Sequence, residues 1–278
     1  MSYMNHLPIL LFAFMLFSAS SRAELVGQEL TPAQQLARLN INPEKYNETL
    51  ARMEPDKKNV ERLEWLLAAG ADVNHIHAFS EGDTVTALTV AARSAARYDN
   101  VEYVRLLLEA GADPNLKAYG GRTPLHIAIE SCGTKEISTR DIELVELLLE
   151  TGADPDAQDE AGDTPLHKAV YQPVLVSMLR KAGGDVTKLN KEGLPPLHRY
   201  LSRSSGQKGS SCAFLQLLDA GCDINVRDAL GNTLLHSCEL LRKTGFTLSE
   251  LIAAGADVNA ANHQGVTPLM VHAQAHQN

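Results

Sequence analysis

Four histidines stand in matching surroundings, each directly after a leucine: His126, His167, His198 and His236. Such a column invites a chemical reading, because neutral imidazole both ligates metals and moves protons. Geometry argues against it. If the four belong to stacked copies of one unit, equivalent side chains lie about 10 Å apart, the distance between packed helices. Ligands of one ion must lie about 2 Å from a common centre. The column is therefore structural. His75 and His77 form a shorter pair, too few for a metal site. Cys132, His126 and Asp141 supply the residue types of a thiol nucleophile, a base and a support, but no sequence context orients them. No phosphate-cradling glycine loop and no His-Glu-x-x-His stretch occurs. No catalytic residue, metal ligand or cofactor is expected, and the chain reads as a non-enzyme.

The amino terminus suggests an address. Leu7 to Phe17 is almost wholly apolar, and Ser21-Arg22-Ala23 offers small residues before a cut. This pattern predicts a secretory signal peptide over residues 1–23. The run is too short for a membrane span, and no later segment approaches about 20 apolar residues. No stable membrane insertion is expected after cleavage. The charge balance is 25 basic against 34 acidic residues, a net of -9. That argues against a nucleic-acid or anionic-membrane partner.

The elements that position these residues come from a repeat. Gly70-Ala71-Asp72, Gly111-Ala112-Asp113, Gly152-Ala153-Asp154 and Gly255-Ala256-Asp257 recur, with variants at Gly183-Gly184-Asp185 and Gly221-Cys222-Asp223. Each follows an apolar helical run. Thr123 is placed as an N-cap and Pro124 as the first helical residue. Leu125 and Ala128 then face inward. Val145, Leu147 and Leu148 give the following helix its apolar stripe, and Gly152 stops it. One such helix pair alone would expose its apolar face, so stability must come from stacking.

The run Gly121-Arg122-Thr123-Pro124-Leu125-His126-Ile127-Ala128, followed by Leu147-Leu148-Leu149-Glu150-Thr151-Gly152-Ala153-Asp154, resembles the ankyrin repeat family. Gly162-Asp163-Thr164-Pro165-Leu166-His167 and Gly265-Val266-Thr267-Pro268-Leu269-Met270 repeat it. The resemblance implies an all-α repeat solenoid of stacked helix–turn–helix units with short β-turn connections. Residues 24–41 form an N-terminal cap segment with a short helix over Thr31 to Leu39. Residues 42–278 form the repeat domain, with six full or nearly full repeats and a truncated seventh. The family's histidine supports the turn network, a role that carries over to the column above. Three units carry insertions between their helices, near Ser94 to Asn100, Ser131 to Arg140 and Ser202 to Ser211. These are read as loops, which are cheap to lengthen and often carry binding.

Cys132, Cys212, Cys222 and Cys238 are the only cysteines. Export would place them in an oxidising compartment. Cys212 and Cys222 flank one helix about 15 Å apart, beyond disulfide reach. Cys212 and Cys238 lie on neighbouring units and form the candidate disulfide. Asn47-Glu48-Thr49 fits a glycosylation acceptor for a eukaryotic host.

Ankyrin arrays bind proteins through a concave face of turn tips and inner helices. By repeat position the exposed candidates here are His77, Phe79, Lys117, Tyr119, Arg122, Glu160, Asp163, Lys191, Arg227, Asn232 and His263. Phe79 and Tyr119 are the aromatic anchors, with charged neighbours setting orientation. Together with the signal segment, this predicts an exported bacterial protein in the periplasm (secreted from a host that is not Gram-negative). The expected function is an immunity protein binding and inhibiting a secreted antibacterial toxin, one aimed at lipid or cell wall. The alternative is a periplasmic adaptor or stress-response factor supporting a resident exported enzyme.

Overall fold

The computed structural model describes residues 30–53, 59–79, 83–98, 100–118, 120–133, 137–203, 211–237 and 247–275. Among these the chain is an all-α solenoid of stacked helix–turn–helix units. A capping helix, α1 (Pro32–Arg38), precedes the stack. Inner and outer helices then alternate: α2 (Tyr46–Arg52) with α3 (Val60–Ala68), and α4 (Ala87–Tyr98) with α5 (Val101–Glu109). Next come α6 (Pro124–Cys132) with α7 (Thr139–Glu150), α8 (Pro165–Ala169) with α9 (Pro173–Lys181), and α10 (Pro196–Arg203) with α11 (Ser211–Asp219). A 3-10 turn at Leu234–His236, α12 (Leu248–Ala253) and α13 (Pro268–Ala275) finish the array. The strands are two residues each, β1 (His77–Ala78) and β2 (Thr84–Val85), paired antiparallel with His77 opposite Val85.

Local chemistry accounts for each boundary. Thr123 is extended at φ -81° and ψ 165°, and Pro124 begins α6 with a φ already suited to a helix. Ser138 starts α7 through a reciprocal cap: Asp141 N–H donates to Ser138 Oγ at 3.2 Å, and Ser138 N–H donates to Asp141 Oδ2 at 3.0 Å. Gly152, at φ 94°, reverses the chain so that Ala153 N–H reaches back to the Leu148 carbonyl at 2.9 Å. Leu125, Ala128, Leu144, Val145 and Leu148 are buried between the layers. The apolar core is continuous along the array, since each unit packs against its neighbours.

The insertions are partly helical where they are described, and residues 99, 134–136 and 204–210 within them lie outside the described residues. The segment from Ser94 is helical as far as Tyr98, because α4 carries on through it. The second insertion is helical to Cys132 and becomes helix again at Thr139. In the third, α10 runs to Arg203 and α11 starts at Ser211. Longer helices satisfy backbone polar groups that a loop would leave to water. The expected signal segment at 1–23, Tyr119 and Cys238 lie outside the described residues.

Candidate protein-binding surface

The face of hairpin tips and inner helices is built from three sets of side-chain clasps. In the first, an Asp or Asn opens four of the hairpins and holds their backbone. Asp159 Oδ1 accepts from the N–H groups of Ala161 and Asp163 at 2.8 and 2.9 Å. Asn190, Asp228 and Asn262 do the same in later units. The tips then bind one another through backbone. Glu160 N–H donates to the Gly120 carbonyl, Lys191 N–H to Ala161, Ala229 N–H to Gly193 and His263 N–H to Leu230, at 2.8–3.1 Å. Gly162 lets two tips approach: at φ 75°, a Cβ there would sit 2.7 Å from the Lys191 nitrogen. Gly162→Ala is expected to cost about 1–3 kcal/mol from the forced left-handed backbone alone, read as a lower urea midpoint.

The second set is the histidine column. Thr123 N–H donates to His126 Nδ1 at 3.3 Å, so Nδ1 is the acceptor and Nε2 carries the proton. Nε2–H then donates to the Asp163 carbonyl of the next unit at 3.0 Å. His167 and His236 repeat this with Thr164 and Thr233 below and with the Leu194 and Val266 carbonyls beyond. His198 departs from the pattern. It reaches the Asn232 carbonyl at 3.1 Å, but Pro195 stands where the others have threonine. Proline offers neither N–H nor hydroxyl, and His198 Nδ1 is buried without a partner. Pro195→Thr is therefore expected to stabilise the fold by about 1 kcal/mol, the gain of cap and acceptor exceeding the lost rigidity of proline. Equilibrium urea unfolding reads this directly.

Burial pushes His126, His167 and His198 below the ordinary histidine value, and their backbone hydrogen bonds offset this only in part. Each stays neutral when folded while the unfolded chain takes up a proton below about pH 6.5. Stability is thus full above that pH and is lost as pH falls through the folded values. The urea midpoint should be lower at about pH 5 than at about pH 7.5; equal midpoints would refute neutral burial.

The third set is a file of alternating charge across the inner helices. Arg122 pairs with Glu130 at 2.7 Å. Lys168 reaches Glu130 at 3.4 Å, Asp159 at 2.9 Å and Asp163 at 3.1 Å. Arg199 reaches Asp163 at 2.8 Å and Glu192 at 3.1 Å. Asn190 Nδ2–H adds a 2.8 Å bond to Asp163. Burial alone would raise the Asp163 carboxyl, but Asn190, Lys168 and Arg199 outweigh it and hold it below the usual range. Burial likewise works against the Lys168 ammonium, and Asp159 and Asp163 overcome it, raising its pKa. Sequence reading did not find this file. Its only sequence signal is a cation directly after the histidine, at Lys168 and Arg199, where Ile127 and Ser237 stand in other units.

A parallel ladder runs along the turns behind the tips. Asn47, Asn74, Asn115 and Asn225 accept from the N–H groups of Asp72, Asp113, Asp154 and Asp257 in successive units, at 2.7–2.8 Å. Asn47 thus spends its amide oxygen on the backbone of the next turn. Thr187 instead bonds Asp185 of its own turn. Across that seam Arg180 donates to the Ala220 carbonyl at 3.3 Å.

The expected contact residues fall into different places. Phe79 is exposed; His77 packs edge-on against it, ring centroids 5.0 Å apart, and Arg52 lies 5.6 Å over its ring. Glu160, Lys191 and His263 are exposed at the tips. Lys117 and Arg227 are exposed but span units, donating to the Gln158 and Ala261 carbonyls. Asn232 accepts from Asn262 at 2.8 Å, and Arg122 is half-buried. Asp163 is not a surface residue. It is 0 % exposed because its carboxylate neutralises Lys168 and Arg199.

Two cysteine side chains are described, and both are buried thiols. Cys132 is free and buried, its thiol pushed up to about 12 by burial and by Asp141, and it donates to the Ala128 carbonyl. Asp141 caps α7 and His126 serves Thr123, so the three do not form a catalytic set. Cys222 is also free, with burial raising its thiol to about 11. The pairing of Cys212 with Cys238 lies outside the described side chains. Among the described residues no group of three or more His, Cys, Asp or Glu is placed to hold a metal.

Family models described as ankyrin repeats match residues 51–139 (three copies) and 137–172 (many copies). The fold is therefore an ankyrin-type repeat solenoid. No curated protein matches the sequence. Among solved structures, the chain is similar to the crystal structure of the ankyrin repeat domain of Bcl-3, "a unique member of the IkappaB protein family". The TM-score is 0.61 at 24% identity, covering 81% of this chain and 92% of that one. With 502 solved chains matching, the likeness defines architecture without choosing a partner.

These findings correct the functional expectation. An exported, periplasmic immunity protein that inhibits a lipid- or cell-wall-directed toxin is overturned, because the structural likeness runs to an IkappaB-family ankyrin domain. The same finding removes the periplasmic adaptor and stress-response reading. Both had rested on residues 1–23, outside the described part of the chain. A short apolar run carries no mark of a partner, and neither does a solenoid surface. Among the described residues no helix is long and apolar enough to cross a membrane.

Proposed function

We propose that this chain is a protein-binding scaffold whose contact surface is the row of hairpin tips and the adjoining inner helices. The observation that supports this most is the backbone stitching of successive tips. It fixes the spacing of Glu160, Lys191 and His263 before any partner arrives, which reduces the ordering cost of association; Phe79 is exposed at the head of the same row. Tyr119 joins this row by repeat position. Lys117, Arg122, Arg227 and Asn232 support the row from within, and His77 steadies Phe79.

The test is partner capture compared across variants. Phe79→Ala with Lys191→Glu should lose partners that the unaltered chain retains. Glu146→Lys, on the outer helix α7, should keep them. Equal capture by all three chains would place the contact elsewhere.

A further inference from the structure

The edge of the first unit holds a basic cleft that the clasps above do not use. It has an open volume of about 480 Å³ and is lined by Lys45, Glu48, Thr49, Arg52, Asn59 and Arg62. Lys45, Glu48, Thr49 and Arg52 share one stripe, at helical spacing from the turn Pro43–Lys45 through α2. Arg62 faces them from the first turns of α3. Three cations thus meet one anion, and Glu48 is engaged by Arg52 at 3.0 Å. Lys45 and Arg62 have no ion pair among the described residues. Lys168 and Arg199, by contrast, are consumed by buried carboxylates.

On a chain of net charge -9, two uncommitted cations facing one cleft are an exception that calls for an anionic ligand. Arg52 links this cleft to the tip row, since its guanidinium lies over Phe79. An occupant of the cleft would therefore run on toward the exposed aromatic. An extended peptide has that reach, and Thr49 can hydrogen-bond its backbone. We infer that the Lys45–Arg52–Arg62 cleft receives the acidic side chains of an extended segment of a protein partner, with Phe79 packing on its neighbouring residue. This rests on the scaffold reading above and names the chemistry of what one end of the scaffold holds.

The probe is a fluorescein-labelled peptide of alternating Glu and Gly, followed by anisotropy at low salt, with its Gln counterpart as control. The acidic peptide should bind saturably, the Gln peptide should not, and added salt should weaken binding. Lys45→Glu with Arg62→Glu should weaken it about tenfold, because each exposed pair changes from attraction to repulsion. Lys181→Glu, exposed at the end of the outer helix α9, should leave it unchanged. Circular dichroism should show both variants folded, since neither Lys45 nor Arg62 holds another element by an ion pair.

Equal binding by the double variant would overturn the inference, as would no saturable binding by the unaltered chain. Competition by inorganic phosphate as strong as by unlabelled peptide would overturn it too, assigning the cleft to a small anion. A chain that captures a protein through its tips yet ignores the acidic peptide would fail this inference alone. Equal capture by all tip variants would fail the scaffold surface and leave the cleft assay intact.

Discussion

Lys168→Met should lower the unfolding free energy by about 3–5 kcal/mol, the cost of breaking a buried ion pair from one side. The lysine side chain is only 14% exposed, and its partners Asp159 and Asp163 are 5% and 0% exposed. Removing it leaves Asp159 without its cation and Asp163 with Arg199 alone. Methionine keeps the aliphatic stem, so the loss reports the charge more than the packing. The pH dependence gives an independent check. The carboxyl of Asp163 is held low in the folded chain, so its contribution is full above about pH 4 and disappears as pH falls through the folded value. The Lys168 ammonium is held high, so its contribution lasts through neutral pH and disappears as pH rises above about 10.5 through its own folded value. In Lys168→Met the alkaline loss should vanish and the acid loss should shrink. Urea midpoints across that range measure both. A variant as stable as the parent would mean that the file of charges is solvated in solution.

Leu148→Ala should cost about 2–5 kcal/mol, the sum of lost apolar transfer and the cavity left behind. Leu148 is 0% exposed on α7, and its carbonyl also receives the Ala153 N–H that closes the helix. The backbone clasp survives the substitution, so the measured loss is that of packing. In a solenoid each unit is stabilised by its neighbours. The damage should therefore extend to α5 and α9, which pack on either side of α7. Hydrogen exchange should show amides of α7 and these neighbours losing protection together, while α13 at the end of the array is unchanged. Loss confined to α7 alone would contradict coupling between units.

Much of the architecture was legible because it is written in local chemistry. Thr-Pro before a leucine starts a helix wherever it occurs, and a glycine after an apolar helical run ends one. Those rules act over four or five residues, so the start of α6 and the end of α7 followed from the chain alone. The structural part of the histidine column followed from repeat spacing. The site was less legible. Asp163 looked like a tip charge because its position in the motif is a surface position elsewhere. Only the structure brings Lys168 and Arg199, from its own unit and the next, onto its carboxylate. The orphaned Nδ1 of His198 was visible in principle, since Pro195 breaks the threonine series, but its cost depends on burial that the sequence does not state. The basic cleft needed α2 and α3 set face to face. Sequence alone determined the repeat and its helix pairs, because capping, turning and apolar periodicity are short-range. Tertiary structure decided which charges are spent inside and which remain for a partner, because that depends on side chains brought together from different units by stacking.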